Sequence, residues 1–569
     1  MSDIPPKASA VNEDPMPSEQ SFPIETDQDQ QDGVRVAEAV AATWAKTSLI
    51  TVYSCMWLLY FVNGLNNNLT SNLSAYITSD FSDHSALTVI GVVTNIMTAA
   101  FILPVAKVLN MWDRTLGLCL MLLVTILGLI MMAACNGIAT YCAAQVFYTV
   151  GFTSIIFCVD VLTSDTSSLR DRGLAFGFTS SPYIITAFAG SPLSEQFHAS
   201  NWRWAYGCIV IILPVVALPL VVTWELAKRK AAKQNHLQYK QKETRSLMET
   251  GKFYFIEFDV IGILLLIAGF TLFLLSFVLA GSTAGQWRSA KILCMLIIGG
   301  MVIIIFGLYE RFWSPKPFIP HHLLTSRTVI GACLLDFTYQ VSYYCWNAYF
   351  TSYLQVVYNA SITQAGYISA IFDLIDPLWL IGCGYLIRVT GQFKWQLMWA
   401  VPLYILTGGL MIYFRSPGHS IGYMCMCEIF LGISGGTMIL IEQVAVLAAS
   451  KHEDYAAMLA LLSLFGNLGG SVGNSISGAI WTNTFPAKLR GLLPDADKDK
   501  WEDIYGSLDV QLSYPVGSEV RNAINSAYAL SQRDMLIAGT AIMALSIGWV
   551  FMIRNIRVKD NDGVKKVLF

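Results

Sequence analysis

The chain has 569 residues, 54% of them hydrophobic and 13% charged, with a mean hydropathy of +0.52. A soluble domain carries about 25% charge, so this composition describes a protein whose outer surface is apolar as well as its interior. The formal net charge of -3 argues against nucleic acid as a partner.

Residues 1–45 are acidic and proline-rich, from Asp3, Glu13 and Asp14 to Asp27, Asp29 and Asp32. They have too little apolar surface to offset the entropy of ordering, so they read as a disordered cytoplasmic tail. No basic stretch followed by an apolar run marks a cleavable leader. Apolar stretches near the spanning length of about 20 residues then recur. They fall at 48–66, 86–106, 114–134, 139–162, 173–193, 204–225, 257–280, 290–310, 328–350, 364–387, 396–414, 420–448, 455–481 and 535–555. The runs lack strand alternation, and only helices or closed barrels satisfy the backbone in lipid. The fold class is therefore an all-α membrane protein with about 14 transmembrane helices.

Lys and Arg set the orientation. With the N-terminus cytoplasmic, Lys107, Arg114, Arg170, Arg172, Arg327, Arg388 and Lys394 fall on inner loops. Arg203, Arg288, Lys291 and Arg415 fall outside. Both termini are then cytoplasmic. A basic central loop, 226–256, separates a six-helix half, 46–225, from two extra helices and the C-terminal half, 257–481. A long outer loop, 482–534, precedes the last span, 535–555, and a cytoplasmic tail, 556–569. Sequons at Asn68, Asn72 and Asn359 lie on or near outer loops and are glycosylation candidates.

The twelve cysteines form no framework; Cys55, Cys119, Cys158, Cys333, Cys383 and Cys427 lie in apolar runs. Lys and Arg stay at span ends, but acids do not. Asp336, Asp160, Glu442, Asp373, Asp376 and Glu428 lie within spans. A charged group there is costly and points to function, and a carboxyl that takes up and releases a proton suits a proton-driven carrier. Asp336 is the first candidate for that role and Asp160 the second. A hydrogen bond to a neighbouring helix is the alternative for each.

Asp336, Tyr339 and Tyr343 share one helical stripe. With Gln340, Ser342, Tyr344, Trp346 and Asn347 they are too polar for a lipid face and suit a cavity wall for a large, oxygen-rich solute. For Trp346, Tyr349 and Phe350, an interfacial aromatic belt is the alternative. Gly435, Gly466 and Gly470 lie in glycine-rich spans and are gating candidates, with static close packing equally open. No phosphate-binding loop, nucleophile set or metal-ligand set is present. The expectation is no catalysis, no cofactor and no bound metal.

From Asp160 the chain reads Asp160-Val161-Leu162-Thr163-Ser164-Asp165-Thr166-Ser167-Ser168-Leu169-Arg170-Asp171-Arg172-Gly173. Ser181-Pro182-Tyr183 and Asn201-Trp202-Arg203-Trp204 follow, then Tyr353-Leu354-Gln355 and Thr390-Gly391-Gln392-Phe393-Lys394-Trp395. In this ordered text, over roughly 45–555, the chain resembles the fungal siderophore–iron transporter family of the major facilitator superfamily. One departure is Asn110 and Asp113 in the loop after the second span, where the superfamily usually has Asp and Gly; Arg114 remains.

The resemblance implies import of an intact ferric siderophore, of hydroxamate type, with proton symport. It adds Tyr183 to the substrate-binding candidates and Arg114 and Arg172 to the gating ones. Tyr505 and Tyr514 in the outer loop are candidates for capture. Glutathione, haem or a secondary metabolite on the same fold stays open, as does a non-transporting sensor. The expected setting is a lipid-embedded monomer in the plasma membrane or an endosomal or vesicular membrane.

Overall fold

The computed structural model describes residues 46–80, 86–233, 246–280, 285–316, 326–450 and 454–558, with a few isolated positions besides. Residues 1–32 of the acidic tail, residues 234–245 of the central loop and the last eleven residues lie outside the described part, whereas Val36 and Val40, also read as tail, are buried helical positions. Within it, helices carry nearly all of the chain, as lipid requires of a backbone that cannot bond to water.

The first half comprises α1 (Lys46–Asp80), α2 (Ala86–Met111), α3 (Arg114–Ala134), α4 (Ile138–Thr166), α5 (Arg172–Ser180), α6 (Pro182–Ser200) and α7 (Arg203–Lys233). Pro182 has no N–H to continue the ladder, so α5 and α6 are one path broken at Ser181. A short α8 (Leu247–Glu257) opens on a capping box between Ser246 and Glu249. The pair α9 (Val260–Leu279) and α10 (Ala290–Phe312) follows. The second half comprises α11 (Arg327–Asn347), α12 (Phe350–Tyr358), α13 (Ile362–Ser369), α14 (Ile371–Thr390), α15 (Lys394–Phe414), α16 (Ile421–Ala448) and α17 (Tyr455–Leu492). Two short helices, α18 (Trp501–Gly506) and α19 (Leu508–Ser513), lead to α20 (Glu519–Met543) and α21 (Ser546–Met552).

Among the described residues, twelve helical segments are long and apolar enough to cross a membrane. The broken path α5–α6 and the polar path α11–α12 are not among the twelve; counting them gives a total that fits the expected fourteen. Three boundaries differ from the hydropathy reading. Helix α1 runs on to Asp80 rather than ending near 66, α17 runs to Leu492, and α20 begins at Glu519. The segment between α17 and α20 is therefore 493–518, within the 482–534 read as an outer loop. Hydropathy marks the part of a helix that needs lipid, whereas the hydrogen-bonded turn continues past it wherever polar side chains find partners.

The halves meet along two seams, α2 against α17 and α5–α6 against α14. Helix α9 packs on α2 and α17, beside the first seam. Ser475 Oγ donates to Leu274 O at 2.9 Å, and Lys107 Nζ donates to Glu257 O at 2.6 Å. Its partner α10 is peripheral, with Ile297, Met301, Ile304 and Ile305 exposed, as a lipid face requires.

Candidate substrate cavity and acid chamber

Between the halves lies a cavity of about 540 Å³. Helices α1, α2 and α4 form one wall; α11, α12, α14 and α17 contribute the other. Its lining is rich in neutral polar side chains, with Asn63, Asn67, Asn95, Asn347 and Asn474 facing Tyr148, Tyr343, Tyr344 and Tyr349. Several of these orient one another. Tyr148 donates to Asn67 Oδ1 at 3.1 Å, and Asn347 Nδ2 donates to Tyr343 Oη at 3.3 Å. Tyr349 takes a left-handed backbone, φ 55°, between α11 and α12, and its ring stacks on Trp481 at 4.1 Å. Among the described residues, Asp373 is the one acid in the lining, and no Lys, Arg or His belongs to it.

A second cavity of about 250 Å³ lies beside the first. Asp160 from α4, Asp336 from α11 and Glu442 from α16 all line it, with Gln340, Gln443 and Asn467. Tyr60 donates to Asp160. Gln340 Nε2 reaches Asp336 Oδ1 at 3.4 Å, and Glu442 Oε1 is buried without a hydrogen-bond partner. Among the described residues no Lys, Arg or His lines this chamber either. Thr153, Ile156 and Tyr344 line both cavities and so form the partition between them.

The three acids spread over distant parts of the sequence are thus brought to one chamber, while Asp373 faces the large cavity instead. Asp376 packs against Gly436 behind it, and its Oδ1 is buried without a partner. Of the aromatic stripe, Tyr343 and Tyr344 line the cavity. Tyr339 and Trp346 do not; they pack with Tyr404, to whose hydroxyl Trp346 Nε1 donates at 3.1 Å. Tyr183 lies beside the cavity, packed on Tyr60 and accepting from Asn63 Nδ2 at 2.7 Å. Tyr505 and Tyr514 belong to the outer segment, half-buried, and line neither cavity. Tyr505 packs against Phe485.

The gating candidates have separate surroundings. Arg114 bonds within the first half, to Asp165 and to Asn110 Oδ1 at 2.8 Å. Arg172 is fully buried, donates to Ser164 O and Ser167 O, and lies over the Tyr455 ring at 4.4 Å across the interface. At Gly466 a side chain would overlap the Asp336 carboxylate, and at Gly470 it would come 2.6 Å from Asn95 Nδ2. Gly435 abuts Tyr339 and Phe372.

Two readings are corrected. Asn68 and Asn72 are not loop sequons: both are buried inside α1, Asn68 lines the cavity and Asn72 lies 3.4 Å from Ser194 Oγ. A glycan needs an exposed acceptor, and only Asn359, at the exposed end of α12, has that setting. Arg415 follows the end of a span, as read, but is not exposed there. It is fully buried just after α15, donates to Trp346 O at 2.6 Å and Gln532 Oε1 at 2.8 Å, and lies within electrostatic reach of Glu428. Glu428 therefore has a cationic neighbour, whereas the chamber of Asp160, Asp336 and Glu442 has none among the described residues. The asparagines of the cavity were the residues that sequence reading missed. Their signal was the run Asn63 to Asn68 in an otherwise apolar first span, read only for its sequon.

Two helical halves around a polar cavity, with a separate acid chamber, define a membrane carrier. The Major Facilitator Superfamily pattern matches residues 56–474. The chain is 56% identical to MFS siderochrome iron transporter D of Aspergillus fumigatus, covering 95% of this chain and 90% of that one. It is 47% identical to siderophore iron transporter mirB of Emericella nidulans, covering 95% and 89%. It is 34% identical to siderophore iron transporter 1 of Schizosaccharomyces pombe, covering 95% and 88%. Among solved structures, an inward-facing bacterial homologue of the lysosomal transporter Spinster matches with a TM-score of 0.53 at 15% identity, covering 90% of this chain and 97% of that one; this likeness concerns the fold alone. The chain belongs to the fungal siderophore–iron transporter family of the major facilitator superfamily.

Proposed function

We propose that this protein imports intact ferric siderophores, of neutral or cationic hydroxamate chemistry, together with protons, and alters no covalent bond of its cargo. The observation that carries the reading is the large cavity of about 540 Å³ lined by Asn, Tyr, Ser and Thr without a cationic side chain. Pockets for small organic ligands span about 300–1,000 Å³. Asparagine amides and tyrosine hydroxyls offer donors to the many oxygens of a hydroxamate chelate. Glutathione and haem carry carboxylates, which need Lys, Arg or a helix N-terminus to replace their hydration.

Proton coupling is the role we assign to the acid chamber. Asp160, Asp336 and Glu442 have no cation in their lining to hold them charged, so a proton taken up there removes the cost of an unpaired buried charge. Tyr344 in the partition belongs to α11, the helix that also carries Asp336, so movement of that helix links the two cavities.

The test is uptake in cells that lack other siderophore carriers, using a chelate labelled on both metal and ligand. Both labels should accumulate together, faster at acidic external pH. Entry of iron alone would exclude intact import. Normal surface abundance with no uptake of any ferric chelate would favour a sensor or an exported metabolite.

A further inference from the structure

Among the described residues that line the large cavity, Asp373 is the one charged side chain. It lies in the first turn of α14, half-buried, on the opposite wall from the asparagines of α1. Among the described residues no hydrogen bond or ion pair joins its carboxylate to another side chain. The acids behind it do not relieve it: Asp376 offers no positive charge, and Glu428 already lies within reach of Arg415. A carboxylate in such a position keeps its charge at least cost when a cation stands opposite. Neutral amides and phenols supply none.

We propose that Asp373 is the charge-selecting residue of the substrate cavity, a counter-ion for an ammonium group on the cargo. The cavity would accordingly prefer ferric hydroxamates with a free amine over neutral ones, and neutral over carboxylated ones. The proposal rests on the transport reading above and adds what that reading leaves open, the charge of the preferred chelate. Three features favour this role over proton transfer for Asp373. It faces the large cavity, outside the chamber where Asp160, Asp336 and Glu442 meet. Among the described residues no side chain is hydrogen-bonded to its carboxylate, so it belongs to no proton-sharing pair such as Tyr60 with Asp160. And it opens onto a cavity of about 540 Å³, so a pendant ammonium meets it from the cargo side rather than through the acid chamber.

The experiment uses one trihydroxamate iron chelate with three termini: a free amine, its acetylated neutral form and its succinylated anionic form. Uptake by the full chain gives three KM values at known surface abundance. The wild type should rank them amine, acetyl, succinyl in order of rising KM. Asp373→Asn should raise the KM ratio of amine to acetyl by about tenfold, the effect of one partly solvated charge pair. Asp373→Glu should restore most of the preference. An Asn variant that keeps the wild-type ranking, or that raises all three KM values equally, would overturn the assignment while leaving transport in place. Wild-type protein at the surface that carries none of the three would overturn both the assignment and the transport reading.

Discussion

At the scale of single residues, the acid chamber makes the sharpest demand. Asp336 lies against Gly466, which has no side chain because any Cβ would overlap the carboxylate. Asp336→Asn keeps the shape and removes the titration. It is expected to abolish accumulation against a gradient and to flatten the pH dependence of uptake, while counterflow exchange of labelled chelate persists in part. A mutant that still concentrates chelate with the wild-type pH profile would remove Asp336 from coupling. Gly466→Ala tests the same site sterically. Overpacking of this kind costs about 1–3 kcal/mol, and here the strain falls on the carboxylate. Uptake per surface molecule should fall several-fold, whereas Gly409→Ala, with open space around it, should leave it unaltered. The sequence revealed Asp336, Asp160 and Glu442 through simple scarcity, since an acid in an apolar run needs a reason. It could not reveal that they share a chamber and that Asp373 does not, because that depends on how α4, α11 and α16 lie against one another.

Among the elements, helix α1 shows most clearly where pattern reading stops. Its apolar first part is recognisable as a span, but Asn63, Asn66, Asn67, Asn68 and Asn72 make the rest look like a loop. In place they form one wall of the cavity and its flank, and the polarity of Asn63, Asn67 and Asn72 is matched by Tyr183, Tyr148 and Ser194. Burial decides their chemistry. Any shift in mobility produced by glycosidase should therefore disappear in Asn359→Gln and persist in Asn68→Gln and Asn72→Gln; loss of the shift in either of the latter would show α1 to be wrongly placed. The outer segment gives a second element-scale prediction. Arg521, fully buried, donates to Val356 O at 3.1 Å, Gln511 O at 2.7 Å and Tyr514 O at 3.2 Å, tying residues 493–518 to the end of α12. Arg521→Ala leaves those carbonyls to water or to nothing, a loss of about 1–3 kcal/mol. Limited proteolysis from outside should then cut within 493–518 well before it cuts the wild type. The sequence showed that this segment is long and aromatic, which suggested capture. The single arginine that fixes it in place carries no such mark.

For the whole molecule, transport requires that the halves separate at one end while they hold at the other, and contacts join them at both. At one end Tyr76 donates to Gln355, Thr363 N–H donates to Glu195 at 3.1 Å, and Leu508 N–H donates to Ser79 Oγ at 3.2 Å. At the other, Asp171 pairs with Arg388 at 3.1 Å, Arg170 Nε donates to Arg388 O at 3.0 Å, and Gly173 meets Gly384 backbone to backbone. These last contacts differ in kind. The Arg388 side of the ion pair is exposed to water that screens it, although Asp171 is buried, so its loss costs about 1 kcal/mol. Asp171→Asn should therefore shift the balance of states modestly, raising the KM for external chelate by no more than about fivefold. The charge-exchanged pair Asp171→Arg with Arg388→Asp should recover part of that change. The glycine contact allows no such adjustment, because a Cβ on Gly384 would stand 2.6 Å from the Gly173 carbonyl carbon. Neither backbone can yield without moving a helix. Gly384→Ala is thus expected to hold this end apart and to reduce uptake far more than Asp171→Asn does, with thermal stability of the purified protein lowered by only a few degrees. Cysteine accessibility along α5 and α14 separates the two cases. Greater labelling from the basic end in Gly384→Ala than in Asp171→Asn would place closure in the backbone contact, and equal labelling would place it in the ion pair.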